Sequence, residues 1–512
     1  MGQNRWLTSV RDYYLVGVLF ALFIGMRLLF LYFPFWGLEY EDSFIFNDTA
    51  RYLNFEYDYN TMPYRCNSCL DGTYENCHSY GTLGGHFLTV SLLTNIIHNI
   101  FSYSTFNIFA LNFTFSLLLP FAAYFSLRND KNFSITSFIC FITLLVVTPF
   151  VSIFHTSGLS ETVSSFFVFL SFVFIYRSSN QGFKIQSLDI FLAILTISLS
   201  VATKRENLVL IVFLFCIPFL SLLKKEKFLN KGYIALLLST LIMAIAFSNY
   251  TNLFTIESDE VGDIGSPTFA ISFALENLTQ LFLAIFTLEY WGLTGYIIAI
   301  SILYSIYKKN FTKLSVYALT LTFLYILLYA SHYRSYYQAV HSISHPFETL
   351  RYSTNYVPLL FLFVASLYHD ISLNKERLLR SNAHLAVMIA FMVLSYNSYK
   401  TRILFSEDEY WSRIEPVESL LSLSSTDDII ISTIPLVYRC YSDKNQHIVD
   451  LFRLTNFRLM ELIRTRNGSN IFLQVPKDME IDIKRYNLDL DLGSFIPIDT
   501  TCKNHIIKQL DI

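Results

Sequence analysis

Charge is scarce in this chain. Asp, Glu, Lys and Arg make up only 15% of its 512 residues, where a soluble protein carries roughly a quarter. That shortage, with 53% hydrophobic residues and a mean hydropathy of +0.43, excludes a water-soluble globule. Other absences narrow the field further. No Gly-rich phosphate loop is present, so no nucleotide site is expected. No internal repeat is evident, which counts against a transporter or flippase, a class built from repeats with ionisable groups near the bilayer midplane. No small-residue cleavage site follows the first apolar run, which is therefore read as a retained helix. The net charge of −3 decides nothing; where the charges lie does.

Apolar runs occupy residues 13–35, 106–127, 134–153, 160–176, 188–203, 207–223, 232–248, 280–306, 314–331, 352–369 and 383–400. A helix needs about 20 such residues to cross a bilayer. The expected fold is a polytopic α-helical membrane protein of about eleven spans. The stretch 83–101 carries Asn95, His98 and Asn99 at helical spacing and reads as an amphipathic surface helix in the first outer loop, residues 34–105.

With a cytoplasmic N-terminus, sixteen Lys and Arg residues, from Arg5 to Arg380, fall in inner segments. Only Lys204, Arg205, Arg334 and Arg351 fall in the short outer loops between the later spans. This matches the positive-inside bias; counting 83–101 as a twelfth span reverses it. The expected location is the cell membrane, multi-pass. Residues 1–400 form the transmembrane domain and 401–512 a small C-terminal α/β extracytoplasmic domain, with β-rich runs at Asp428–Thr433, His447–Leu451 and Asn470–Val475.

Several side chains look set apart for chemistry. Glu41 and Asp42 follow the first span directly, beside Tyr40 and Phe44. A carboxylate partly screened from water gains proton affinity and suits a general base. The four outer cations oppose the charge bias, and binding an anion accounts for them: Arg offers phosphate a planar fork, Lys a point charge. Glu161 opens a span after the loop His155–Ser160. It is either a helix-start acid or a second carboxylate facing Glu41 and Asp42. Cys66, Cys69 and Cys77 lie close to His78. A disulfide in an oxidising compartment and a Cys₃His zinc site both fit them, and Cys440 with Cys502 could make a second disulfide.

Four motifs in order resemble the C-type, lipid-linked-sugar glycosyltransferases, which include protein O-mannosyltransferases and aminoarabinose transferases. They are the acidic pair Glu41-Asp42, Ser160-Glu161 opening a span, Thr203-Lys204-Arg205-Glu206 before a span, and Arg351-Tyr352 with Pro358 six residues on. The resemblance covers most of residues 10–400, on a prokaryotic branch. Gly84-Gly85-His86-Phe87 departs from it, lacking the Pro and Lys that relatives often carry there. The resemblance implies an inverting transfer at the outer membrane face, from a polyprenyl-phosphate sugar to a hydroxyl of a glycan, lipid or protein. Lys204, Arg205, Arg351 and Arg334 would hold the donor phosphate, and Glu161, Glu206, Tyr352 and His86 would bind substrate. Glu41 would act as base with Asp42 as partner, or the reverse; a divalent metal at Asp42 and Glu161 stays open. A lipid-linked glycan ligase or polymerase, which also uses an outer loop rich in Arg and His, is the rival reading.

The charge bias generates a test. A reporter enzyme fused after Lys400 is expected to be active only outside the cytoplasm; activity inside it overturns the eleven-span topology.

Overall fold

The computed structural model describes residues 10–32, 50, 88–131, 133–223, 230–254, 271–331, 351–374, 414–425, 428–434, 437–438, 441, 447–450, 470–477, 495–499, 502 and 505–510. The chain divides into two compact units. One comprises Met1–Pro34, Phe109–Asn249 and Val261–Arg402; the other comprises Phe35–Ile108, Tyr250–Glu260 and Ile403–Ile512.

In chain order the helices are α1 Val10–Tyr32, α2 Leu88–Phe101, α3 Asn107–Leu127, α4 Ile135–Val147, α5 Pro149–Phe154, α6 Glu161–Asn180, α7 Leu188–Thr203, α8 Val209–Leu223, α9 Lys231–Phe254, α10 Ala274–Ile285, α11 Leu288–Trp291, α12 Thr294–Lys308, α13 Lys313–Ala330, α14 Val357–Asn374 and α15 Glu415–Leu423. All but α2 and α15 belong wholly or mainly to the first unit. Among the described residues α3, α6 and α13 are each long and apolar enough to cross a membrane. The run 383–400 lies outside the described residues.

The first unit exposes large apolar side chains as well as burying an apolar core. Its exposed faces carry Phe121 and Phe125 on α3, Phe219 on α8 and Ile242 on α9, while Ser164, Ser165, Ser171 and Ser200 are buried. A hydrocarbon surround lets apolar side chains face outward as well as pack in the core, and small polar residues sit where helices approach closely.

Two apolar runs are not single helices. Residues 134–153 break at Thr148 between α4 and α5, because Pro149 has no N–H to give to the carbonyl of Leu145. Arg27, fully buried on α1, fills that vacancy: its guanidinium donates to Leu145 O at 3.2 Å, to Ser116 at 2.9 Å and to Ser152 at 2.6 Å. One cation thus ties α1 to α3, α4 and α5. Residues 280–306 break between α11 and α12 at Gly292, whose φ of +56° favours glycine.

Helices α6 and α7 pack along each other as an antiparallel hairpin. At one end Arg177 pairs with Asp189 at 3.1 Å; at the other, Lys204 meets Glu161 at 2.6 Å. The stretches between carry no charged residue. The sixteen steps from Glu161 to Arg177 rise about 24 Å, which approaches the thickness of a bilayer's hydrocarbon.

In the second unit, α2 turns Ser91, Thr94 and His98 inward and leaves Leu92, Ile96 and Ile100 exposed. That apolar outer face is the pattern expected of a helix lying against lipid. Among the described residues a five-stranded mixed sheet is ordered β2-β1-β3-β5-β4. Its strands are β1 Ile429–Ser432, β2 His447–Asp450, β3 Ile471–Pro476, β4 Phe495–Asp499 and β5 His505–Leu510. Strand β1 runs parallel to β2 and β3, and β5 antiparallel to β3 and β4. All four residues of β1 are buried, as befits a parallel central strand covered on both faces. Helix α15 packs on β5, and Tyr438 donates to the carbonyl of Pro416 at 3.0 Å.

Close packing at Gly295 is testable. A Cβ added there would stand 1.9 Å from the carbonyl oxygen of Ile285, whereas at Gly25 it would meet nothing within 4 Å. Gly295→Ala is expected to lower the unfolding midpoint in detergent, by about 1–3 kcal/mol of stability. Gly25→Ala should leave it nearly unchanged; equal midpoints for the two would show that α12 has room to shift.

Candidate functional site

Three residues from three distant stretches of sequence meet on one carboxylate. Glu161 opens α6, Lys204 caps the C-terminus of α7, and Arg351 lies just ahead of α14. Lys204 Nζ donates to Glu161 Oε1 at 2.6 Å, and Arg351 Nε donates to the same oxygen. The side chains of Glu161 and Lys204 are 0% and 1% exposed, that of Arg351 11%. Glu161 Oε2 is buried and accepts no hydrogen bond among the described residues. Tyr352 lies beneath both cations, its ring centre 5.4 Å from Lys204 Nζ and 5.9 Å from Arg351 Cζ, close enough for cation–π attraction.

Local structure aims each member. The residues His155–Ser160 before Glu161 are all buried rather than looping into solvent. Asn112 on α3 holds them in place, donating to the carbonyls of Ser157 at 2.7 Å and Leu159 at 2.8 Å. Beyond α7 the chain leaves the helix at Lys204, with φ −151° and ψ 131°, and enters a 3-10 turn, Arg205–Leu208. Asn207 anchors that turn: it donates to Ser164 on α6 at 2.9 Å and to Ser200 O at 2.8 Å, and accepts from Tyr325 on α13 at 2.7 Å. On the Arg351 side, Asn355 donates to the Tyr329 hydroxyl at 2.7 Å, and the Tyr329 ring stacks on Tyr352 at 5.0 Å.

The sequence candidates divide. Lys204, Glu161, Arg351 and Tyr352 come together. Arg205 is exposed and Glu206 half-buried, one and two residues along the same turn, and neither contributes to the cluster. Lys204 therefore turns inward, while its neighbour Arg205 is exposed. Glu41, Asp42, His86, Arg334, Cys66, Cys69, Cys77, His78 and Cys440 lie outside the described residues. Among the described residues no three His, Cys, Asp or Glu side chains group as metal ligands. Asn112, Asn207, Tyr329 and Asn355 were not singled out from sequence. An Asn next to a charged turn, as Asn207 is, carries a faint signal; Tyr329 is one of 34 tyrosines and carries none.

No protein-family model and no curated protein sequence matches the chain. Solved structures do. ArnT from Cupriavidus metallidurans bound to undecaprenyl phosphate superposes with a TM-score of 0.58 at 11% identity, covering 98% of each chain. The same protein in the apo state gives 0.56 at 10% identity over 97% of each chain. The archaeal oligosaccharyltransferase AglB from Archaeoglobus fulgidus gives 0.49 at 12% identity, over 96% of this chain and 74% of its own. At such identities the likeness concerns architecture, and across nearly the full length of both chains it is the architecture of ArnT. The chain thus has the fold seen in ArnT.

Proposed function

We propose that this protein is an integral membrane glycosyltransferase that moves a sugar from a polyprenyl-phosphate carrier to an acceptor hydroxyl on the extracytoplasmic face. The single observation that supports it most is the convergence of Lys204 and Arg351 on one buried point, in a fold shared with a protein crystallised with undecaprenyl phosphate. Two cations and an aromatic floor are the parts needed to hold a lipid phosphate against low-dielectric surroundings. Arg205 on the exposed side of the same turn is positioned by sequence to meet the phosphate or a neighbouring headgroup. Arg334, His86 and Glu206 are proposed to line the donor and acceptor paths.

The chemistry requires a base. Glu41 takes the acceptor proton as the hydroxyl attacks the anomeric carbon, with Asp42 orienting the acceptor or binding a divalent metal. Attack opposite the leaving phosphate inverts the anomeric configuration. The outward phenylalanines of α3 and α8 let the carrier's hydrocarbon stay in lipid while its phosphate enters the protein. A ligase or polymerase would need the cations equally, and the acidic pair distinguishes the two readings.

Two outcomes check the assignment. Arg351→Ala is expected to weaken donor use about tenfold or more, since a charge-assisted hydrogen bond is worth roughly 1.5–3 kcal/mol. Lys308→Ala, at the exposed end of α12, should have little effect; equal losses remove the phosphate role. Glu41→Gln keeps the shape but removes the basic oxygen. It is expected to cut transfer about 10²–10⁴-fold while donor binding stays intact. Normal transfer by both Glu41→Gln and Asp42→Asn, in folded protein, leaves the acidic pair a solvated loop.

A further inference from the structure

Glu161 is an odd component of a phosphate site. It places a full negative charge where an anion is meant to bind, and it occupies donors of both cations with a single oxygen. Its second oxygen accepts nothing among the described residues, and the whole side chain is buried. Hydrogen-bonding capacity alone does not account for it, since a neutral Gln or Asn could accept the same bonds. What only a carboxylate supplies is the charge.

We propose that Glu161 is a specificity-determining counter-ion that biases this site toward a monoanionic phosphodiester and against a dianionic phosphomonoester. The inference rests on the phosphate assignment made above and deepens it. In the proposed transfer the acceptor oxygen bonds to the anomeric carbon, and the bond from that carbon to the phosphate oxygen breaks. The electron pair stays on the phosphate, and the hydroxyl proton goes to the base. A diester of charge −1 thereby becomes a monoester that carries close to −2 at neutral pH, its second pKa being about 6. In a desolvated site the unbalanced charge is what costs free energy. By lowering the charge of the Lys204–Arg351 pair by one, Glu161 holds the donor adequately and the spent carrier poorly, so that product leaves. Without it the two cations would favour the dianion and trap the product.

The test compares two soluble probes of one hydrocarbon chain, geranylgeranyl phosphate and its methyl diester, bound to the detergent-solubilised full chain at pH 5 and pH 8. The diester is singly charged at both; the monoester passes from about −1 to about −2 across its second ionisation. Glu161→Gln is expected to raise the monoester-to-diester affinity ratio at pH 8 about tenfold or more over the wild-type ratio, with a much smaller change at pH 5. Turnover should fall as monoester inhibition grows. Lys204→Met changes the site's charge the other way and should lower the same ratio, which keeps the proposal testable if Glu161→Gln does not fold. If the ratio stays within about twofold of wild type in whichever of these variants folds, while Arg351→Ala weakens both probes, the counter-ion role is wrong and the phosphate site stands. If Arg351→Ala weakens neither probe, the phosphate site falls and this inference with it.

Discussion

A carboxylate removed from water must be matched by positive charge, and in this protein that requirement falls on Glu161. Its partners come from the end of α7 and from the approach to α14, 43 and 190 residues away in sequence. Breaking a buried pair of this kind costs about 3–5 kcal/mol, because the surviving charge stays desolvated. The ion cluster therefore ties three chain segments together. Tyrosines pack against it: Tyr352 lies under the cations, Tyr329 stacks on Tyr352, and Asn355 holds the Tyr329 hydroxyl.

The remainder of the helical unit keeps that cluster in place. The α6–α7 hairpin is clipped at both ends by ion pairs, with no charge between them, so its register cannot slide without burying an unpaired charge. Asn112 and Asn207 satisfy the backbone and side chains of the two segments that leave the helices next to Glu161 and Lys204. Arg27 does comparable work elsewhere. Pro149 interrupts a helix and frees a carbonyl, and the guanidinium supplies the missing donor from a neighbouring helix. In lipid, where water cannot satisfy such groups, a break in a helix is tolerated only when the protein satisfies the freed group itself.

Much of this was legible before any coordinates. Low charge content and long apolar runs require a membrane protein, since neither can be accommodated by a water-facing surface. The β-branched run Ile429-Ile430-Ile431 and the runs near 447 and 471 announce strands because their side chains suit a pleated, buried surface. Lys204 and Arg351 stood out for defying the charge bias, and Glu161 for opening a span. The helix breaks at Thr148 and Gly292 were less legible, since an apolar run keeps its hydrophobicity through a kink.

The sequence by itself determined that charge in the membrane unit would be rare and confined to a few places, because hydropathy and charge counts are sums over residues that need no geometry. Only the tertiary structure decided that Lys204 turns inward while Arg205 faces out, and that Glu161 is shared between Lys204 and Arg351. Adjacent residues of the same charge look alike in one dimension. Which of them is buried depends on the direction in which the chain leaves α7, and that direction is set by Asn207 bonding to residues up to 118 positions away.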